Sequence, residues 1–257
     1  MNGIIKYAGD LLVIMLVAFP PFLYLYRYLY DKIKNVFLRI ALYAVYWAGT
    51  LYFSNVLPAA SVLFLIYRSR KESIYHRNDE EGEDSRQRKF NLDCTGWRWK
   101  FSIKNFIKIA LWGIPIKYAV TYINLLFIEV LSKLKITLTN QEVVNQFLKS
   151  DVFQSIVLSM LVVVCAPIVE EFVFRFWLYD RLLKNRIGTF FAAILTSLLF
   201  MAAHFNVQGA VTFFLIGIIN CFIYDRYGYW GAVANHFMFN FTSAILLILI
   251  KFLNIPV

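Results

Sequence analysis

The chain contains four long stretches without Asp, Glu, Lys or Arg: residues 41–67, 152–169, 187–224 and 227–250. A helix crosses the roughly 30 Å hydrocarbon core of a bilayer with about 20 apolar residues, so each stretch has membrane-spanning length. The third stretch is too long for one crossing and is interrupted at residues 205–209 (FNVQG), which predicts a helical hairpin. The pattern therefore predicts an all-α fold, a polytopic membrane bundle of about seven or eight transmembrane helices.

The full set of predicted spans follows from the same pattern and comprises residues 11–30, 36–67, 106–131, 155–183, the two arms of the hairpin, and 230–253. Asn55 and Pro58 lie within the second span and predict a kink or a break there. Residues 132–154 have the pattern of an amphipathic connector. The first span lacks a clear small-residue cleavage site, which argues against a removable signal peptide.

Composition agrees with a lipid-facing protein. Of the 257 residues 60% are hydrophobic and only 16% charged, whereas soluble domains have roughly 25% charged residues. The net charge of +10 lies mostly in loops between spans, which indicates cytoplasmic loops beside anionic lipid and no nucleic-acid partner. Cys94, Cys165 and Cys221 lie far apart without a C-x-x-C pattern, which argues against a disulfide framework or a zinc site.

The charges also predict the orientation of the chain in the membrane. Residues 68–105 contain ten Lys/Arg and seven Asp/Glu and are expected to form a solvated, partly disordered cytoplasmic loop. Alternating crossings then place residues 132–154 outside and 181–186 inside. The loop around residues 27–39 is basic too. The second span is therefore either a broken hairpin around Pro58 or has one flank that violates the positive-inside rule, and the sequence leaves both open.

Six polar side chains lie within or beside the apolar spans of the C-terminal half: Glu170, Glu171, Arg175, His204, His236 and Asn240. Ionisable groups at membrane depth are costly, face an interior cavity and mark a functional site by default. Glu171 and Arg175 have the i,i+4 spacing of a helical ion pair. Glu170 points about 100° away from Glu171 on a helix, which leaves Glu170 free to face a cavity. The structural alternative is an ion cluster at the helix end.

The histidines share helix faces with other candidate residues. Phe200 lies one turn before His204, and His236 lies one turn before Asn240. Taken singly, His204 is typical of an interfacial residue, and Asn240 is typical of the hydrogen bonds that hold membrane bundles together. Taken together, a carboxylate, two histidines and an amide supply a base for water and donors for an oxyanion. The chain has no G-x-S-x-G motif and no persuasive Ser or Cys nucleophile.

Three motifs follow one another on consecutive spans: E-E-x-x-x-R at residues 170–175, F-x-x-x-H at 200–204 and H-x-x-x-N at 236–240. In this order they resemble the CAAX-protease and bacteriocin-processing (Abi, CPBP) family of intramembrane glutamate proteases. The resemblance covers about residues 152–253 and implies a helical bundle that encloses a polar cavity. It also implies peptide hydrolysis without a metal or another cofactor.

The resemblance implies roles for the motif residues. By motif position, Glu170 and His204 would activate the water, and His236 and Asn240 would form the oxyanion site. The side chains that orient this group would be Glu171, Arg175 and Phe200. Glu170 and His204 can meet only if the fourth helix continues unbroken to about Leu182 or the fifth helix is displaced, and the unbroken helix is our prediction.

The resemblance also implies the setting. Substrates would be peptides or membrane-associated proteins, processed at the lipid bilayer. The frequent Ile, Lys and Phe and the lack of an organellar signal favour a bacterial plasma membrane. There, bacteriocin or signalling-peptide processing, or self-immunity, is expected. Residues 151–257 would form the catalytic core. The resemblance does not cover residues 1–150, the N-terminal helices with the charged loop, and we expect them to tune substrate choice within one integral domain.

Two other functions are compatible with the same residues. Glu170, His204 and His236 resemble the ligands of a catalytic zinc site, although the chain has no H-E-x-x-H motif. Alternatively, the cavity would bind a peptide without hydrolysing it, as an immunity protein that sequesters a toxin would do.

Overall fold

The protein is described from a computed structural model that defines residues 2–78, 99–136, 138 and 142–253. These residues contain helices and no strand. The α-helices are α1 (Asn2–Lys32), α2 (Val36–Phe53), α3 (Val56–Asn78), α4 (Ile103–Lys133), α5 (Glu142–Lys149), α6 (Val152–Met160), α7 (Ala166–Glu170), α8 (Lys184–Ala202), α9 (Ala210–Tyr227) and α10 (Tyr229–Phe252). Two π-helical segments, π1 (Leu161–Cys165) and π2 (Glu171–Leu183), flank α7.

Six helices in the described part of the chain are long and apolar enough to cross a membrane. One of them, Val152–Ala202, is 51 residues long and includes Gly188, whose φ of +78° breaks the helix. Glycine adopts this left-handed region without the steric cost that a Cβ imposes. The break divides this helix into two crossings. The prediction of an all-α polytopic membrane bundle is confirmed.

The fourth predicted helix runs unbroken past Leu182, as expected. It begins with a capping box in which Asp151 accepts from the Gln154 amide at 2.7 Å and the Gln154 side chain accepts from the Asp151 amide at 3.2 Å. The chain then continues through π1, α7 and π2 into α8 without an intervening loop. This continuity carries Glu170 into the interior of the bundle.

The second predicted span is a broken hairpin. Helix α2 ends at Phe53, Ser54 has a φ of 52°, and α3 begins at Val56. A Cβ on Gly49 would lie 2.1 Å from Leu57 Cδ1, so α3 folds back directly against α2. Both basic flanks of the hairpin therefore lie at the same end of the bundle, which satisfies the positive-inside rule.

The polar segment that follows differs from the sequence prediction. Helix α3 extends to Asn78, so the predicted start of the loop at residue 68 is wrong. Charged residues continue a helix beyond the membrane surface as readily as they form a loop, and composition does not separate the two. The remainder of the predicted loop, residues 79–98, lies outside the described residues. Trp99 is buried against Phe176 and Tyr229, with ring centroids at 4.8 and 4.7 Å.

The connector between α4 and α6 contains the expected amphipathic helix, α5. Phe147 is buried, whereas Gln146 and Lys149 are exposed. Lys251 at the end of α10 donates to the carbonyl oxygens of Phe147, at 2.9 Å, and of Ser150. Because the last carbonyls of a helix have no intrahelical partner, these bonds anchor the C-terminal end of α5 to α10.

Candidate active site

A cavity of about 610 Å³ is lined mainly by the C-terminal helices. Its wall includes the side chains of Glu170, His204, His236, Asn240 and Phe200. The structure thus brings the four predicted catalytic residues together around one space, although they come from three separate spans.

Glu171 and Arg175 form the predicted ion pair, and they form it in the interior. Arg175 Nε lies 3.1 Å from Glu171 Oε2, and both side chains are 0% exposed. The alternative of an ion cluster at a solvated helix end is therefore wrong. A buried pair of charges is stable only if further polar contacts satisfy both groups.

Further polar contacts surround the Glu171 carboxylate. Its Oε1 accepts from Asn220 Nδ2 at 2.9 Å and lies 2.7 Å from His236 Nδ1. Asn235 Nδ2 in turn donates to Asn220 Oδ1 at 2.7 Å. On the arginine side, Arg175 Nη2 donates to a backbone carbonyl of α9 at 3.4 Å.

His236 lies between the two glutamates. An ionised Glu171 only accepts, so His236 Nδ1 carries the proton of that hydrogen bond. Nε2 then faces the other way and lies 3.7 Å from Glu170 Oε2. The predicted proximity of Glu170 to a histidine is therefore present in the structure. Glu170 Oε2 is buried and has no hydrogen-bond partner among the described residues.

His204 is held by aromatic rings and by the backbone. Its Nδ1 lies 2.7 Å from the Phe200 carbonyl oxygen, which accepts only, so Nδ1 donates. The imidazole stacks on Phe213 with centroids 3.9 Å apart and an interplanar angle of 19°. The next residue, Phe205, has a φ of 43°. Because Nδ1 of His204 carries the proton of the neutral ring, Nε2 is the atom that can accept another proton.

Asn124 of α4 fixes the turn that follows His204. Its Nδ2 donates to the Gln208 carbonyl at 3.0 Å, and its Oδ1 accepts from the Thr212 amide at 3.3 Å. The sequence interpretation missed Asn124, because a single asparagine in a span is also typical of contacts that hold helices together.

Asn240 is anchored to the opposite wall of the cavity. Its Nδ2 donates to the Val162 carbonyl oxygen in π1 at 2.9 Å. A π turn displaces carbonyls from the regular i to i+4 pattern, which leaves them available to side chains. An amide nitrogen carries two protons, so Asn240 keeps a second N–H beyond the one that bonds to Val162.

Phe200 separates the buried ion pair from the cavity. The Arg175 guanidinium lies over its ring, 4.6 Å from the centroid. The same ring contacts His204 at 4.7 Å and His236 at 5.8 Å between centroids. Phe200, which is predicted to orient the site, therefore contacts two of the catalytic candidates, His204 and His236, and also the Arg175 guanidinium.

Two asparagines of the network were not singled out from the sequence. Asn235 does not line the cavity but bonds to Asn220, which bonds to Glu171. The signal that was available in the sequence is an amide side chain within each of two largely apolar helices, α9 and α10. Amides occur in spans as ordinary interhelical contacts, so this signal alone did not separate them from residues outside the site.

Metal-ligating side chains do not cluster in the described part of the chain. Within residues 2–78, 99–136, 138 and 142–253, no group of three His, Cys, Asp or Glu side chains has an arrangement that could hold a metal ion. Cys165 and Cys221 have free thiols.

Residues 152–242 match the sequence profile of the family described as Type II CAAX prenyl endopeptidase Rce1-like. No curated protein and no solved structure matches the chain. The matched region lies within the part in which the three motifs resemble the CAAX-protease family, so that resemblance is confirmed. In general terms, the match supports a CAAX-type intramembrane protease, and the long apolar helices support a multi-pass membrane protein.

Proposed function

We propose that this protein is an intramembrane endopeptidase that uses Glu170 and His204 to activate water, without a metal ion. The observation that carries the proposal is the shared cavity, in which the buried Oε2 of Glu170 faces His236 Nε2 while Glu171 bonds to Nδ1 on the other side of the His236 ring. A buried acceptor that faces an interior space is well placed to receive a proton from water.

In the first step, Glu170 takes a proton from the water while the water oxygen bonds to the carbonyl carbon of the substrate. Nε2 of neutral His204 accepts the second hydrogen bond of that water and so fixes its direction. The tetrahedral intermediate then collapses. The C–N bond breaks, and the proton moves from Glu170, directly or through His204, to the departing amine.

One fixed donor stabilises the developing oxyanion, and the doubly protonated form of His236 would add a second. We assign the fixed donor to Asn240, which lines the cavity and has a second N–H beyond the one that bonds to Val162. His236 contributes when it is protonated, because both ring nitrogens then donate, Nδ1 to Glu171 and Nε2 toward the cavity. Donors fixed before the reaction stabilise the transition state without reorganisation, and removing one such donor typically costs a factor of about 10² to 10³ in rate.

The cavity wall favours apolar peptide segments. Beyond the polar group it is lined by apolar residues of α5, α6 and α10, among them Val143, Phe147, Leu158 and Leu247. A pocket that is largely apolar with a few polar groups binds an apolar side chain and orients the bond that is cleaved. Peptides or membrane-associated proteins with apolar residues near the scissile bond are the substrates we propose.

The cavity also reaches one end of the bundle. Asn55 between α2 and α3, Gln208 between α8 and α9, and helix α5 all contribute to its wall. These connections lie opposite the basic loops, which the positive-inside rule places in the cytoplasm. Substrates therefore enter from the outer face. That direction supports a role in processing secreted bacteriocins or signalling peptides, or in self-immunity, at a bacterial plasma membrane.

The test is hydrolysis of a panel of apolar peptides by detergent-purified protein, with and without a chelator. Glu170→Ala is compared with the wild type, and Glu129→Gln serves as a control because Glu129 is exposed on α4 and forms an exposed ion pair with Lys133. We expect cleavage by the wild type and the control that persists in chelator and disappears in Glu170→Ala.

Other results would contradict parts of the proposal. Cleavage that is lost in chelator and restored by zinc identifies a metalloprotease. A protein that binds peptides and protects cells equally well with Glu170→Ala is a binding protein rather than a hydrolase.

A further inference from the structure

Helix α9 packs directly against the buried ion pair. Gly217 and Asn220 lie one turn apart on α9, and each bonds to one member of the pair: the Gly217 carbonyl accepts from Arg175, and Asn220 donates to Glu171. A Cβ on Gly217 would lie 2.8 Å from Ser197 Cβ, so α9 approaches α8 as closely as its backbone allows. The position of Asn220 relative to the ion pair is therefore fixed by helix packing.

The orientation of the Asn220 amide is also determined. Asn235 Nδ2 donates to Asn220 Oδ1, which places the Asn220 NH₂ group toward Glu171. Asn235 precedes His236 in α10, and His236 bonds to the same Glu171 oxygen as Asn220 does. The contacts therefore form a closed ring from α10 to α9 to π2 and back to α10. Asn220, Asn235 and Glu171 are all 0% exposed.

This ring determines which nitrogen of His236 carries a proton. Glu171 Oε2 faces Arg175, and Oε1 receives Asn220 and His236. A carboxylate surrounded by a cation and an amide donor is ionised and only accepts, so His236 Nδ1 must donate. Without Asn220, Oε1 loses one of its two anchors, and the carboxylate can rotate about its terminal torsion away from the imidazole.

We propose that Asn220 is a positioning residue for the hydrolytic reaction: it holds Glu171 in the orientation that fixes the Nδ1–H tautomer of His236 and leaves Nε2 facing Glu170. Asn235 supports this role by orienting the Asn220 amide. The inference rests on the proposed function of the site, because the consequence for catalysis passes through Glu170 and His236.

The chain is well suited to a direct spectroscopic test, because it contains only three histidines. Protein labelled with ¹⁵N-histidine in lipid bilayers gives ring-nitrogen signals that separate the two neutral tautomers, and His76→Gln and His204→Gln variants assign them. We expect His236 in the wild type to show a protonated Nδ1 and a bare Nε2. Asn220→Leu, which removes the donor at similar volume, should give a mixture of tautomers.

Kinetics provide the second readout. A hydrogen bond to a charged group is the interaction lost, so kcat of Asn220→Leu should fall roughly 10- to 100-fold. KM should change much less, because Asn220 does not line the cavity. Thr196→Val is the matched control: Thr196 is equally buried, and its hydroxyl has no hydrogen-bond partner among the described residues. It should keep both the tautomer and kcat.

Asn220→Ala is a second variant, for use if Asn220→Leu does not fold. Both variants remove the same donor, but they differ in the size and shape of the side chain. A folded Asn220 variant with the tautomer and kcat of the wild type would overturn the proposal, as would equal losses in Thr196→Val. The two proposals fail separately. If the wild type cleaves no peptide, the hydrolytic function is wrong, whereas the tautomer signal still reports whether Asn220 positions His236.

Discussion

Glu170 and Glu171 are adjacent in sequence and have opposite surroundings. Glu171 is fully buried and contacts a guanidinium, an amide and an imidazole. The Glu170 side chain is 16% exposed, and its Oε2 has no hydrogen-bond partner among the described residues. Neighbouring residues on a helix point about 100° apart, and this rotation gives the two glutamates their different surroundings. One carboxylate therefore belongs to the framework, and the other is placed for chemistry.

Glu171→Gln should unfold the site rather than only inactivate it. The substitution leaves Arg175 buried without a negative partner, and removal of one member of a buried pair costs about 3–5 kcal/mol of stability. Thermal unfolding in detergent measures this loss. Glu170→Gln should unfold at nearly the wild-type temperature, and an equal loss of stability in both variants would contradict the division of roles.

Arg175→Lys should not substitute for the arginine. The guanidinium contacts Glu171, the Gly217 carbonyl and the Phe200 ring at once, and an ammonium group is too compact to reach all three. We expect a loss of activity and stability close to that of Arg175→Met. Full activity of the lysine variant would show that only the charge matters.

At the scale of helices, the sequence predicts spans and the main candidates for the site. Apolar length is a strong signal for a membrane helix, and a charged or histidine side chain inside one is too costly to be incidental. For this reason the amino-acid sequence predicts that Glu170, His204 and His236 share a cavity, and all three lie in the wall of one cavity in the structure. The i,i+4 spacing likewise predicts the Glu171–Arg175 pair.

Other features of the helices have no comparable signal. A π turn adds one residue to a helix without a change in composition, so π1 and π2 could not be located from the sequence. Yet they matter for the site, since Val162 in π1 supplies the carbonyl that anchors Asn240. Asn220 and Asn235 carry no charge, and an amide in a span is common enough to be ambiguous.

Helix α5 gives a prediction about substrate binding. Lys251 holds its C-terminal end through the carbonyls of Phe147 and Ser150, and Phe147 lines the apolar part of the cavity. Lys251→Met should loosen this wall and raise KM several-fold for apolar peptides, with kcat largely kept. Steady-state kinetics test this, with Lys149→Met as a control on the exposed face of α5. A loss confined to kcat would argue against a binding role.

At the scale of the whole molecule, the strongly basic loops between helices lie at one end of the bundle. The ends that carry Lys34, Arg70 and Lys184 are expected inside, and the ends near Lys135 and Asn55 outside. The broken α2–α3 hairpin removes the conflict that the sequence left open, because it returns the chain to the basic side. On the proposed orientation, the end of the bundle that the cavity reaches faces outward.

Cysteine labelling in intact cells tests this orientation. In a background with Cys94, Cys165 and Cys221 replaced by serine, an impermeant thiol reagent should label Lys135→Cys from outside and spare Lys34→Cys and Arg70→Cys. After permeabilisation all three should react. External labelling of Lys34→Cys but not of Arg70→Cys would show that the first helices do not form the broken hairpin in the membrane.

The central claim is that Glu170 is the base that activates water, and the isosteric Glu170→Gln variant tests it most directly. With a peptide that the wild type cleaves, kcat and peptide affinity are measured side by side for both proteins. The account predicts that affinity is retained while kcat falls by roughly 10² to 10⁴, the usual contribution of a positioned general base. A Glu170→Gln variant that cleaves at the wild-type rate would contradict it.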